Sequence, residues 1–162
     1  MLLAQAQDLI AAFNTMRENE GTQLEQLLQT QLTEIETLMQ TAATQAEARK
    51  DDMAQTLRRN LARVLDHAEG ADESRVAQEL AMIAVKADVT EEIDRLRAHI
   101  AVARDLIGQG GPVGRKLDFL MQEFNREANT LCSKAQSTDL TSTGLALKAV
   151  IDQMREQVQN VE

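Results

Sequence analysis

The chain has 162 residues, a formal net charge of −9, no tyrosine or tryptophan and one cysteine, a length that admits one domain or one compact domain with an extended arm. The lone Cys132 excludes an intramolecular disulfide framework and fits a reducing, cytoplasmic setting, and no segment approaches the roughly 18 consecutive apolar residues of a membrane span. Ala, Leu, Gln, Glu and Arg prevail and no β-branched alternation long enough for a strand stands out, so the expected fold is all-α.

The start, MLLAQAQDLI, lacks the basic region and long apolar core of a signal peptide. Residues 4–19 read as a helix with Ala6, Leu9, Ile10, Phe13 and Met16 on one side, weakly interrupted at Gly21 and Thr22. Leu24, Leu28, Ile35, Leu38 and Ala42 then recur near heptad spacing with Gln31 at one seam position, as in a coiled coil or hairpin helix. The stripe weakens over Gln45–Asp52 and resumes at Met53, Leu57, Leu61, Val64 and Ala68. A break near Lys50-Asp51-Asp52 and an antiparallel hairpin are therefore expected. Arg58, Arg59 and Arg63 form a small basic cluster, readable as a solvated face or as a contact to a ligand backbone.

Gly70-Ala-Asp-Glu-Ser74 reads as a loop, with Gly70 ending one helix and Asp72 or Ser74 capping the next. It divides the chain into a helical arm, 1–73, and a C-terminal helical bundle, 74–162. A helix from Arg75 carries Leu80, Ile83, Ala84 and Ala87. Asp88-Val-Thr-Glu91 then marks a new helix or a kink, followed by the stripe Ile93, Leu96, Ile100, Ala103 and Ile107. Gln109–Val113, holding the only proline, is a tight interhelical turn rather than a phosphate loop, since neither the GxxxxGK[ST] spacing nor a preceding strand is present. Gln136–Thr143, rich in Ser and Thr, reads as a loop or cap, and a last helix starts at about Gly144.

Between these lies the most informative segment, GRKLDFLMQEFNREANTLCSK. Its core side is Leu117, Leu120, Met121, Phe124, Ala128 and Leu131, and Lys116, Glu123, Glu127, Thr130 and Lys134 form an ordinary charged face. The third face holds Arg115, Asp118, Gln122, Asn125, Arg126, Asn129 and Ser133. Asn and Asp are mediocre helix formers, so this stripe is either a binding surface or a hydrogen-bonded seam between helices.

Glu92, Arg95 and His99, with Asp88 before them, share one face if their helix is continuous, which suits a metal or a general acid or base as well as ordinary salt bridges. No HxxxH or Cys/His cluster occurs, which argues against zinc. Asp118 and Gln122 lie one turn apart, and Glu79 offers another carboxylate. Phosphodiester hydrolysis at Mg²⁺ or Mn²⁺ needs few protein ligands, because water and phosphate oxygens complete the coordination. Residues 1–48 hold one basic and seven acidic residues, whereas residues 75–134 hold nine of each. The acidic excess is thus mostly in the arm.

VGRKLDFLMQEFNREANTLCSKA and the terminal MREQVQNVE resemble the C-terminal signature of the YicC family of bacterial endoribonucleases. The similarity continues through Arg75-Val-Ala-Gln-Glu79-Leu and the segment from Asp88 to His99, and more loosely to Arg17-Glu-Asn-Glu-Gly21. Family members carry a further N-terminal domain with β-strands, so a C-terminal fragment is expected. The resemblance implies metal-dependent cleavage of single-stranded RNA and a ring-like homo-oligomer, such as a hexamer, with no membrane. It directs attention to Asp118, Glu79 and His99 for catalysis, and to Asp118 and Glu79 as ligands of Mn²⁺ or Mg²⁺. Arg75, Arg95, Arg115, Asn125, Arg126, Asn129 and Lys134 are then the candidates for RNA binding or the subunit contact. The rival readings are a non-catalytic helical scaffold and an inactive RNA-binding module, and either fits a part that needs the rest of the protein for its site.

Overall fold

A computed structural model describes residues 2–67 and 73–161. They form five helices: α1 (Leu2–His67), α2 (Glu73–Lys86), α3 (Thr90–Gln109), α4 (Gly114–Lys134) and α5 (Thr138–Val158). No strand occurs among the described residues, so the all-α expectation holds. The expected 70–74 loop falls largely on residues 68–72, outside the described residues.

The expected hairpin within residues 22–69 does not form. α1 is one helix that passes through Gly21 and through Lys50-Asp51-Asp52 without a break. The weak part of its stripe is where it changes partners. From Leu28 to Ala42 the helix faces the bundle, with Leu28, Leu32, Ile35, Met39 and Ala42 almost wholly buried. Beyond that, Ala46, Met53 and Leu57 face Ala84 of α2 and Ala87 just after it across a cavity of about 220 Å³. Arg49 bridges the transition, its guanidinium donating to the Ala87 carbonyl at 2.7 Å and the Lys134 carbonyl at 3.5 Å.

The core is a four-helix arrangement. α4 packs between α3 and α5, and α1 closes the square by packing on both of them. Side-chain pairs give the directions. Glu36 meets Arg104 and Arg49 meets Ala87, while Gln45 meets Thr143 and Leu24 shares a groove with Gln157, so α1 runs antiparallel to α3 and α5. Leu96 and Ile100 of α3, Leu117, Met121, Phe124 and Leu131 of α4, and Leu140, Leu147, Ile151 and Met154 of α5 fill the interior with the α1 wall. The heptad-like stripe of α1 therefore serves an intramolecular core. Burial of this apolar surface is the main favourable term, and truncating Phe124 to Ala would cost about 3–5 kcal/mol.

The connections follow local chemistry. Asp88 accepts from both the Thr90 amide (2.9 Å) and the Thr90 hydroxyl (2.6 Å), which ends α2 and launches α3. Gly110 and Gly111 turn the chain into α4 with φ of 67° and 79°, values a side chain would oppose. α5 begins at Thr138 rather than near Gly144. Ser137 caps it by accepting from the Leu140 amide, and the Thr141 hydroxyl donates back to the Ser137 carbonyl. The Ser/Thr-rich stretch is thus a first turn.

Candidate metal centre

α3 and α4 meet along two flanks of charged residues. At one end Lys134 donates to the Glu92 carboxylate at 2.8 Å and to the Asp88 carbonyl at 3.2 Å, and Glu92 is 3% exposed. Two turns further along, Arg95 donates to Glu127 at 3.2 Å and also pairs with Glu91 one turn back on its own helix. Those contacts raise the affinity of the Arg95 guanidinium for its proton, chiefly through the Glu127 hydrogen bond.

Next on the same face is His99. Its ring meets Phe124 edge-on at 5.6 Å, which fixes the imidazole against the core. Its Nε2 is buried and has no hydrogen-bond partner in the structure. One ligand atom each from His99, Glu123 and Glu127 lie within 4.8 Å of one another. An imidazole nitrogen and two carboxylates converging at that separation fit a divalent cation of the Mn²⁺ type, with water or substrate oxygens completing its coordination. A buried nitrogen left without a partner costs free energy that coordination would recover. The residues present therefore fit the group.

Glu127 is 2% exposed, so the face read from the sequence as ordinary and charged is partly covered, and it carries the candidate cluster. The signal was available: Glu123 and Glu127 lie one turn apart, just outside the apolar positions Leu120, Phe124 and Leu131, where a neighbouring helix must pass. What the sequence lacked was which helix passes there.

His99 is thus brought into a cluster, but not with Asp118 or Glu79. Asp118 lies on the opposite flank of α4, 3.8 Å from Arg155 of α5 and accepting from Gln122 at 3.1 Å. Glu79 is exposed on α2, which packs on α1. Asp118 is sixteen residues, about 24 Å, from Lys134 along α4, while α2 joins the bundle at the Lys134 end. Within one chain these two carboxylates do not share an ion.

The polar stripe of α4 is largely a seam. Asn125 donates to Asp152 at 2.8 Å, Lys148 donates to Asn129, and Arg155 approaches Asp118, all across the α4–α5 groove. Lys134 is committed to Glu92, and Arg95 to the candidate centre. Arg75 and Arg115 are exposed, and Arg126, 70% exposed, lies 3.9 Å from Glu123.

Comparison with known proteins places this architecture. Residues 42–162 match the family model "Endoribonuclease YicC-like, C-terminal". The chain is 41% identical to "Probable endoribonuclease YicC" of Haemophilus influenzae over 99% of its length, and 32% identical to the protein of the same name from Clostridioides difficile over 100%. It spans 55% of the length of each of these curated relatives. With the family model covering helices α2 to α5 and the part of α1 from residue 42 onward, the chain belongs to the YicC-like endoribonuclease family.

Proposed function

We propose that this chain forms the metal-binding part of an endoribonuclease acting on single-stranded RNA, with His99, Glu123 and Glu127 holding Mn²⁺ or Mg²⁺. The observations that carry the reading are the convergence of a His99 ring nitrogen with the Glu123 and Glu127 carboxylates and the partnerless Nε2 of the same ring, in a chain of an endoribonuclease family. A divalent cation there supplies charge stabilisation at a phosphate oxygen and acidifies a water. The chain's own part is orientation: Phe124 sets the imidazole plane, Glu127 is fixed by burial, and the exposed Arg126 is available to phosphate at the rim. Few aromatic side chains are available to stack bases, so contacts to the RNA backbone dominate. Assembly of copies through the arm of α1, which exposes Leu9, Ile10, Phe13 and Met16, belongs to the same reading.

The test is cleavage of an end-labelled single-stranded RNA with Mn²⁺, with Mg²⁺ and with EDTA. Cleavage is expected to need the metal, to be lost in His99→Ala and Glu127→Gln, and to survive in Asp118→Asn. Cleavage that persists in EDTA and in both of the first two variants would remove the centre from the reaction. Cleavage only when the remaining length of the longer relatives is restored would mean that the rest of the protein completes the site. No metal-dependent RNA binding or cleavage in either form would favour the scaffold.

A further inference from the structure

Both carboxylates of the centre have an arginine nearby, but only Glu127 is hydrogen-bonded to one. Glu127 accepts from Arg95 at 3.2 Å, and Glu123 lies 3.9 Å from Arg126. The first pair is unequal. The Glu127 side chain is 3% exposed, while that of Arg95 is 48% exposed and also reaches Glu91, itself 66% exposed. Glu127 thus sits in the interior with its cation arriving from the rim, and Arg95 has an alternative acceptor in solvent one turn back.

A buried carboxylate is costly when its counter-charge is removed. Glu127 therefore needs either the guanidinium or a cation beside His99. The two compete, because an ion among His99, Glu123 and Glu127 draws on the carboxylate that Arg95 binds and places like charge next to it. We propose that Arg95 couples metal loading to RNA binding: it neutralises Glu127 until a divalent cation binds, then turns to the rim of the α3–α4 groove and takes a phosphate of the RNA. A guanidinium suits that exchange, since its planar fork matches carboxylate and phosphate alike. Linkage requires the effect to be reciprocal, so a phosphate that draws Arg95 off Glu127 must tighten the metal. This rests on the metal-centre reading above.

The experiment is a calorimetric titration of Mn²⁺ into the wild type, Arg95→Ala, Arg95→Lys and His99→Ala, without RNA and then with a short single-stranded 2′-O-methyl RNA that resists cleavage. Removing the competitor in Arg95→Ala is expected to tighten Mn²⁺ by about tenfold, within the 5–150-fold range typical of coupled sites. Arg95→Lys, which keeps the charge and loses the fork, is expected to fall between, and carries the comparison if the alanine variant unfolds. The RNA strand is expected to tighten Mn²⁺ more on the wild type than on Arg95→Ala, where only the direct contact between phosphate and ion remains. Mn²⁺ affinity in Arg95→Ala equal to or weaker than the wild type, with binding still lost in His99→Ala, would overturn the coupling and leave the centre standing. A wild type that takes no more Mn²⁺ than His99→Ala would remove the centre and the coupling together.

Discussion

Glu92 and Glu127 are two buried carboxylates of opposite character, although both lie between α3 and α4. Lys134 serves Glu92 with a 2.8 Å hydrogen bond and is itself anchored on the Asp88 carbonyl, so this pair ties α4 to the start of α3. Lys134→Met is expected to strand the Glu92 charge and lower stability by about 2–4 kcal/mol, less than for a fully buried pair because Lys134 is partly exposed. Urea denaturation checks this, and an unchanged midpoint would mean that water reaches Glu92. Asp88 makes a pH-dependent contribution at the same junction. Hydrogen bonds from the Thr90 side chain and amide, assisted by Lys50 and Lys134, hold its carboxyl below the ordinary 3.8. A depressed carboxylate stabilises the fold above its unfolded value and loses that contribution as pH falls through its folded value. Asp88→Ala is therefore expected to melt below the wild type at pH 7, with the gap closing below pH 3.8; a constant gap would assign the loss to packing alone. His99 was legible as a candidate because few histidines occur and its helix face is charged. Glu123 and Glu127 were not, because a wheel separates apolar from charged residues but does not say which charges a neighbour covers.

At the scale of the helices, α3 and α4 were legible almost to their ends. Both carry strong apolar periodicity, and between them the sequence places two consecutive glycines and a proline. The start of α5 was not legible, because Ser and Thr are indifferent helix formers. The Ser137 cap and the bond from the Thr143 hydroxyl to Gln45 of α1 override that propensity. In α1 the fading stripe suggested a break, but a helix that exchanges one packing partner for another shows the same pattern. Gly21 gives a clean check of continuity. It lies in the interior of α1, exposed, with nothing within 4 Å of the position that an alanine methyl would take. Gly21→Ala is expected to stabilise the helix by about 0.5–1 kcal/mol and to raise ellipticity at 222 nm. No gain in helicity would mean that this part of α1 does not form an independent helical arm.

For the molecule as a whole, the division of labour follows α1. Its central third closes the bundle, its far end supports α2, and its first turns extend past the α3–α4 turn with Leu9, Ile10, Phe13 and Met16 all more than half exposed. Phe13, Met16 and Leu24 line a groove with Ile107 and Val113 at that end of the bundle. An apolar stripe of this kind is unstable against association in water, and the acidic excess of residues 1–48 opposes pairing of two arms with each other. The combination favours an arm seated on the less acidic bundle of another copy, a head-to-tail contact of the sort that closes into rings. Replacing Leu9, Phe13 and Met16 together with Gln keeps good helix formers on α1 while removing the apolar stripe. In sedimentation velocity the wild type is expected to associate as concentration rises and the triple variant to remain at the mass of one chain. Mn²⁺ titrations of the two should agree, because the centre lies on α3 and α4 of the same chain. Unchanged association would clear the arm of the contact, whereas a joint loss of association and Mn²⁺ binding would mean that the neighbouring copy completes the centre.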